Sequence, residues 1–124
     1  MINKIGKITL YVENQETAIK FWTEKLGFSI FEQSMGAMKW VEVFPKNEFT
    51  SFVLYDKNVM KQHNPNLCVE HPSIILSTND IEKSHKEMKE NGVEVEDIMS
   101  MPYGKMFSFK DQDGNSYLLR EDNY

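Results

Sequence analysis

The chain has 124 residues, 40% hydrophobic and 27% charged, with one cysteine, Cys68, and a formal net charge of -5. That length suits a single domain able to bury a core without disulfides, and one thiol excludes an internal bridge and fits a reducing cytoplasm. The acidic balance and dispersed lysines speak against a nucleic-acid partner, and the lack of a long apolar run or a secretory signal speaks against a membrane partner.

In chain order, Ile8–Val12 is rich in β-branched and bulky residues and reads as a strand. Asn14 then offers an N-cap, and Ala18, Ile19, Trp22 and Leu26 fall on one face of a helix that closes at Gly27. Three strands follow, at about 28–33, 37–44 and 50–55, and residues 57–71 read as a polar connector. The pattern then returns about 66 residues further on: strand Ile74–Thr78, cap Asp80, a helix with Ile81, Ser84, His85 and Met88 on one face, and Gly92. Three more strands lie at about 93–99, 105–110 and 116–120, the last two joined by a tight turn at Asp113-Gly114. The closing strands match as well, SFVLYD from Ser51 against SYLLRE from Ser116. The reading is α+β, with βαβββ written twice: module one at about 1–56 and module two at about 72–124 of a single 1–124 domain. Eight methionines and fifteen aromatics (eight Phe, five Tyr, two Trp) are first of all core fillers, with an adaptable pocket as the other use.

The opening stretch ITLYVENQETAIKFWTEKLGF and the closing FKDQDGNSYLL resemble the vicinal oxygen chelate superfamily, which holds glyoxalase I, extradiol dioxygenases and the fosfomycin and bleomycin resistance proteins. The resemblance covers nearly the whole chain. It implies that each module curls into a half-barrel, that two modules form a cleft, and that modules pair within a chain or are exchanged in a homodimer. It also implies four metal-ligand positions, two on the opening strands and two on the closing strands, that hold a divalent ion.

In this chain those positions fall on Lys7, Ser73, Val53 and Leu118. An ammonium has no lone pair and repels a divalent ion, and hydrocarbon side chains donate nothing. A register slip of one residue brings in Ile8, Ile74, Phe52 or Leu54, and Tyr117 or Leu119, which repairs nothing. The expectation is therefore no metal and no cofactor. His71, two residues before Ser73, with Glu70 beside it, is a candidate displaced ligand, although a solvated connector residue is the plainer reading. His63 has no partner in sight, and His85 reads as a hydrogen-bonded histidine at the core edge.

Strand alternation then assigns the cleft. Lys7 and Tyr11 point inward while Leu10 and Val12 face the helix; Trp40 and Glu42 alternate with the core residues Val41 and Val43; Ser73, Leu118 and Arg120 line the second half. Tyr103, before Gly104, sits where a mobile loop would close over a ligand. Aromatic walls with a few charges suit a partly apolar small molecule carrying an ionisable group. The function expected is metal-free small-molecule binding by a homodimer. The alternatives are a metal-dependent lyase, dioxygenase or transferase of the glyoxalase type, and a metal-independent enzyme in which Lys7 or Glu42 moves protons.

Overall fold

In unit one the opening strand alternates polar and apolar residues, and the structure sorts them as alternation requires. β1 (Lys7–Val12) buries Leu10 and Val12 on one side and leaves Lys7, Thr9 and Tyr11 on the other. This computed structural model describes residues 1–35 and 38–122, the side chains of 33–35 and 38 excepted. Within them the chain divides into two compact units, Met1–His71 and the part from Pro72 onward.

Helix α1 (Gln15–Lys20) starts where Asn14 Oδ1 accepts the Thr17 amide at 3.0 Å, satisfying an amide that has no partner inside the helix. It continues into a π-helical turn (Phe21–Lys25), with the Leu26 amide bonded to the Phe21 carbonyl at 3.3 Å. The buried residues are Ala18, Phe21 and Trp22, while Ile19 and Leu26 are only half-buried. The predicted face thus lacked Phe21, and the wider turn carries Leu26 partly off the core side. Gly27 and Gly92, both foreseen as helix stops, take positive φ values of 72° and 83°.

Strands β2 (Ser29–Met35), β3 (Met38–Phe44) and β4 (Ser51–Asp56) complete a sheet of order β1-β4-β3-β2 in which β1 and β4 are parallel. The expected start of β3 at Ala37 lies outside the described residues. Trp22, 0% exposed, anchors the helix side of this sheet, with ring centroids 5.4 Å from Phe21, 5.0 Å from Phe28 and 5.1 Å from Phe52. Helix α2 (Lys57–His63), capped by Asp56 on the Val59 amide, packs on β4. The sequence reading gave these residues to a connector because α2 is polar and buries none of its side chains.

Unit two repeats the plan. β5 (Ile75–Thr78) leads to α3 (Ile81–Glu90), with Asp80 capping the Lys83 amide at 3.1 Å. The strand foreseen at 93–99 is two short pieces, β6 (Glu94–Val95) and β7 (Met99–Met101), separated by Glu96, Asp97 and Ile98. β8 (Gly104–Lys110) and β9 (Ser116–Glu121) finish a sheet of order β5-β9-β8-β6, with β7 also paired to β8. Its helix side buries Ile81, Val93, Phe107, Phe109, Tyr117 and Leu119. The foreseen turn forms, with Asp111 at its hub. The carboxylate of Asp111 accepts the amides of Asp113 and Asn115 and, at 2.7 Å, the buried hydroxyl of Tyr117. Burial and the nearby Asp111 charge push that phenol far above its ordinary pKa, so it stays a donor.

Candidate functional site

The sheet of unit one turns a polar, aromatic face away from its helix. Register sets its members: Lys7 lies opposite Ser51 across β1 and β4, Tyr11 opposite Tyr55, and Glu42 of β3 opposite Val53. Glu42 is the hub. Its Oε1 accepts from Lys7 Nζ at 2.8 Å and from Ser51 Oγ at 2.8 Å, and its Oε2 accepts from the Trp40 indole Nε1 at 2.7 Å. The Glu42 side chain is 15% exposed, against 49% for Lys7. Burial alone would raise the Glu42 carboxyl, but the bonds from Lys7, Trp40 and Ser51 outweigh it and hold the group below the usual carboxylate range.

Aromatic rings continue this face. Tyr11 stacks with Tyr55 at 6.2 Å, and Trp40 meets Tyr55 edge-on at 5.7 Å. Burial, then the neighbouring Tyr11, raises the Tyr55 phenol. Gln15 Nε2 donates to the Lys39 and Leu54 carbonyls at 3.0 and 2.9 Å, tying the start of α1 to β3 and β4 behind the rings. The structure therefore places Lys7, Tyr11, Trp40 and Glu42, four of the residues assigned to the cleft from sequence, on one face of unit one. Sequence reasoning missed Ser51 and Tyr55, which alternation from Val53 would have supplied.

The equivalent face of unit two is built differently. Ser73 and Leu118 line an open hollow of about 350 Å³ together with Ile74, Ile75, Ser108, Ser116 and Tyr117. By register Leu118 lies opposite Ser108, as Val53 lies opposite Glu42. Ser73, Ser116 and Ser108 thus occupy the places that Lys7, Ser51 and Glu42 hold in unit one. Ser73 itself lies outside β5, which starts two residues later, although the Leu118 amide still reaches the Ile74 carbonyl at 3.1 Å. Arg120 and Tyr103 form a separate group on this unit: the guanidinium lies 5.2 Å from the ring centroid, and its Nε is 3.7 Å from Asp122, which also accepts from Ser77. Tyr103, 62% exposed, does not sit on a long loop. Pro102 and Tyr103 are the two-residue turn of the β7–β8 hairpin, closed by the Met101–Gly104 pair, which is too short for the closing loop anticipated from sequence.

The donor set at the four family metal positions does not fit a divalent ion. Lys7 is an ammonium bound to its own carboxylate, Ser73 offers a lone hydroxyl, and Val53 and Leu118 are hydrocarbon. Among the described residues, no three His, Cys, Asp or Glu side chains are grouped to hold a metal. Glu70 and His71 precede β5 and belong to no strand, so the shared strand face considered for His71 does not form. His85 is the core-edge histidine that was expected, edge-on to Phe107 at 4.8 Å with Nε2 at 2.9 Å from the Glu96 carbonyl.

Comparison with known proteins agrees with this architecture. A family model for the Glyoxalase/Bleomycin resistance protein/Dioxygenase superfamily matches residues 4–117. The uncharacterized protein YetH of Bacillus subtilis is 41% identical over 124 residues, covering 98% of this chain and 100% of the relative. Among solved structures, TnmS3, an antibiotic binding protein from a Streptomyces species, is 28% identical with a TM-score of 0.82, covering 98% of each chain. A superfamily member from Sphaerobacter thermophilus is 27% identical, also with a TM-score of 0.82 and 98% of each chain covered. Among the described residues, no helix is long and apolar enough to cross a membrane. With two βαβββ units in the sequence order of that fold and a family match across most of its length, the chain belongs to the glyoxalase/bleomycin resistance/dioxygenase superfamily.

Proposed function

We propose that this protein binds a small, partly apolar molecule carrying an ionisable group, and does so without a metal. The observation that carries this reading is the state of Glu42. This carboxylate on the polar face of unit one already accepts from Lys7, Ser51 and Trp40, and an ammonium stands where a metal ligand is needed. What surrounds the pair suits a ligand with an aromatic or apolar body: Tyr11, Trp40 and Tyr55 offer ring faces and edges. On unit two, Ser73 and Leu118 of the hollow and the Tyr103–Arg120 pair are the corresponding ligand contacts. The likeness to an antibiotic binding protein supports binding rather than turnover. The protein acts in this reading as a cytoplasmic homodimer. Proton transfer by Glu42 finds less support, because its hydrogen bonds favour the ionised form, which has no proton to donate and is a weakened base.

The test is a thermal-shift screen of aromatic and amphipathic small molecules, run once in chelator and once with zinc and manganese. A ligand that binds only the folded chain raises Tm. The reading expects hits whose shifts are the same in both buffers and which are recovered chemically unchanged. Hits that vanish in chelator, or that are converted, would replace it with the enzyme reading.

A further inference from the structure

The polar face of unit one has a definite hydrogen-bond balance, and that balance says which ionisable group it takes. Among the described residues Glu42 is the carboxylate at the centre of this face, and three of its acceptor sites are occupied. Lys7 is in the opposite state. Its ammonium carries three donors, one of which goes to Glu42, and half of the side chain is open to solvent. No other protein acceptor among the described residues takes its remaining donors. Thr9 and Tyr11 follow Lys7 on the same face of β1, and their hydroxyls, which both donate and accept, leave the ammonium to set the balance. Surplus donors and a filled carboxylate favour a ligand that brings acceptor oxygens.

From this we infer that Lys7 is the specificity-determining residue of the face and selects ligands bearing an anionic oxygen group, a carboxylate, sulfonate or phosphate, attached to an aromatic body. The inference rests on the binding reading above and narrows it. The ligand's anion takes the open side of the Lys7 ammonium, and its rings lie along Tyr11, Tyr55 and Trp40. Glu42 acts as a positioning residue. It holds the ammonium and the Trp40 indole in fixed relation through its two oxygens, 2.8 Å from one and 2.7 Å from the other. Its charge opposes the incoming anion, but that charge is already shared among three donors. A cationic ligand would have to displace Lys7 from a 2.8 Å pair to reach the carboxylate. The hollow of unit two, lined by Ile74, Ile75 and Leu118 as well as three serines, holds no charged side chain and has no such preference.

Two fluorescent probes that differ only in the charged group make the test: anilinonaphthalene sulfonate and its neutral counterpart phenylnaphthylamine. Both are titrated into the folded, full-length wild type and into Lys7→Met, Lys7→Arg, Glu42→Gln and the Lys7→Met/Glu42→Gln double variant, with each fold checked by circular dichroism. The wild type is expected to bind the sulfonate about fivefold more tightly than the neutral probe, the size of effect a half-exposed ion pair supplies. Lys7→Met should abolish that preference by weakening sulfonate binding about fivefold, and Lys7→Arg should restore it. Glu42→Gln should strengthen sulfonate binding by freeing the ammonium from its counter-ion, and the double variant should bind both probes alike. Equal binding of both probes by the wild type, or a sulfonate preference that survives Lys7→Met and the double variant, overturns the inference while leaving small-molecule binding intact. Failure of the wild type to bind either probe overturns the inference and the binding reading together.

Discussion

The two units set the same backbone register to opposite uses. In unit one the positions Lys7, Ser51 and Glu42 form a closed, charged cluster at 2.8 Å separations; in unit two the equivalent Ser73, Ser116 and Ser108 line an open hollow. The difference follows from what each group costs to desolvate. A carboxylate that is 15% exposed must be met by donors, so Glu42 gathers Lys7, Ser51 and Trp40 and fixes their geometry. Hydroxyls are satisfied by water and demand no such assembly, so the corresponding place in unit two stays vacant of protein. One repeat thus supplies a preorganised polar anchor, the other room.

The comparison can be broken by mutation, and the largest effect belongs to the charged member. Glu42→Ala leaves three donors without their acceptor and should cost about 2 kcal/mol, read by urea unfolding. Ser108→Ala, at the equivalent position of unit two, should stay within about 0.5 kcal/mol. A loss at Ser108 as large as at Glu42 would mean that the hydroxyl face is a constrained network too. Unit two keeps its buried polar contact elsewhere, at the turn hub: Tyr117→Phe removes the 2.7 Å bond to Asp111 and should cost about 1.5 kcal/mol.

Acid sharpens the same contrast. The folded-state pKa of Glu42 is lowered, so its contribution to stability is full above the unfolded carboxylate value and is lost as pH falls through the folded one. Unfolding free energy of the wild type should therefore fall below about pH 4.3 more steeply than that of Glu42→Gln. Parallel curves would contradict the depressed carboxyl. The three serines of unit two add nothing in this window because hydroxyls do not titrate there. The smallest effect is Lys7→Met. With half the side chain in water, the pair contributes at most about 1 kcal/mol, so Lys7 should prove nearly dispensable for folding while governing probe selectivity.

Much of this was readable from the residues because alternation and capping are local. Leu10, Val12, Val41 and Val43 announced the helix side of the first sheet, and Asn14, Asp80, Gly27 and Gly92 marked both helices. The polar side followed by exclusion, which is why Lys7, Tyr11, Trp40 and Glu42 were found together. What escaped depended on less visible physics. Helix α2 is too polar to show a buried stripe, and its one signal was Asp56 as a cap ahead of residues free of Gly and Pro. The π-helical turn shifts Phe21 and Leu26 through a hydrogen-bond choice that side-chain pattern does not encode. Tyr103, before Gly104, was assigned to a closing loop; it and Pro102 instead form the two-residue turn closed by the Met101–Gly104 pair. Ser51, Ser108 and Ser116 were overlooked since a lone serine carries no signal until register places it beside a charge or a hollow.

Titration of metal ions into chelator-treated protein tests the central claim most directly. If the Lys7–Glu42 pair has taken the place of an ion, calorimetry with zinc and with manganese should show no one-per-chain site that depends on Glu42, and the wild type and Glu42→Gln should give the same weak heats. A saturable, stoichiometric site that disappears in Glu42→Gln would show that the carboxylate is a ligand after all and would contradict the account.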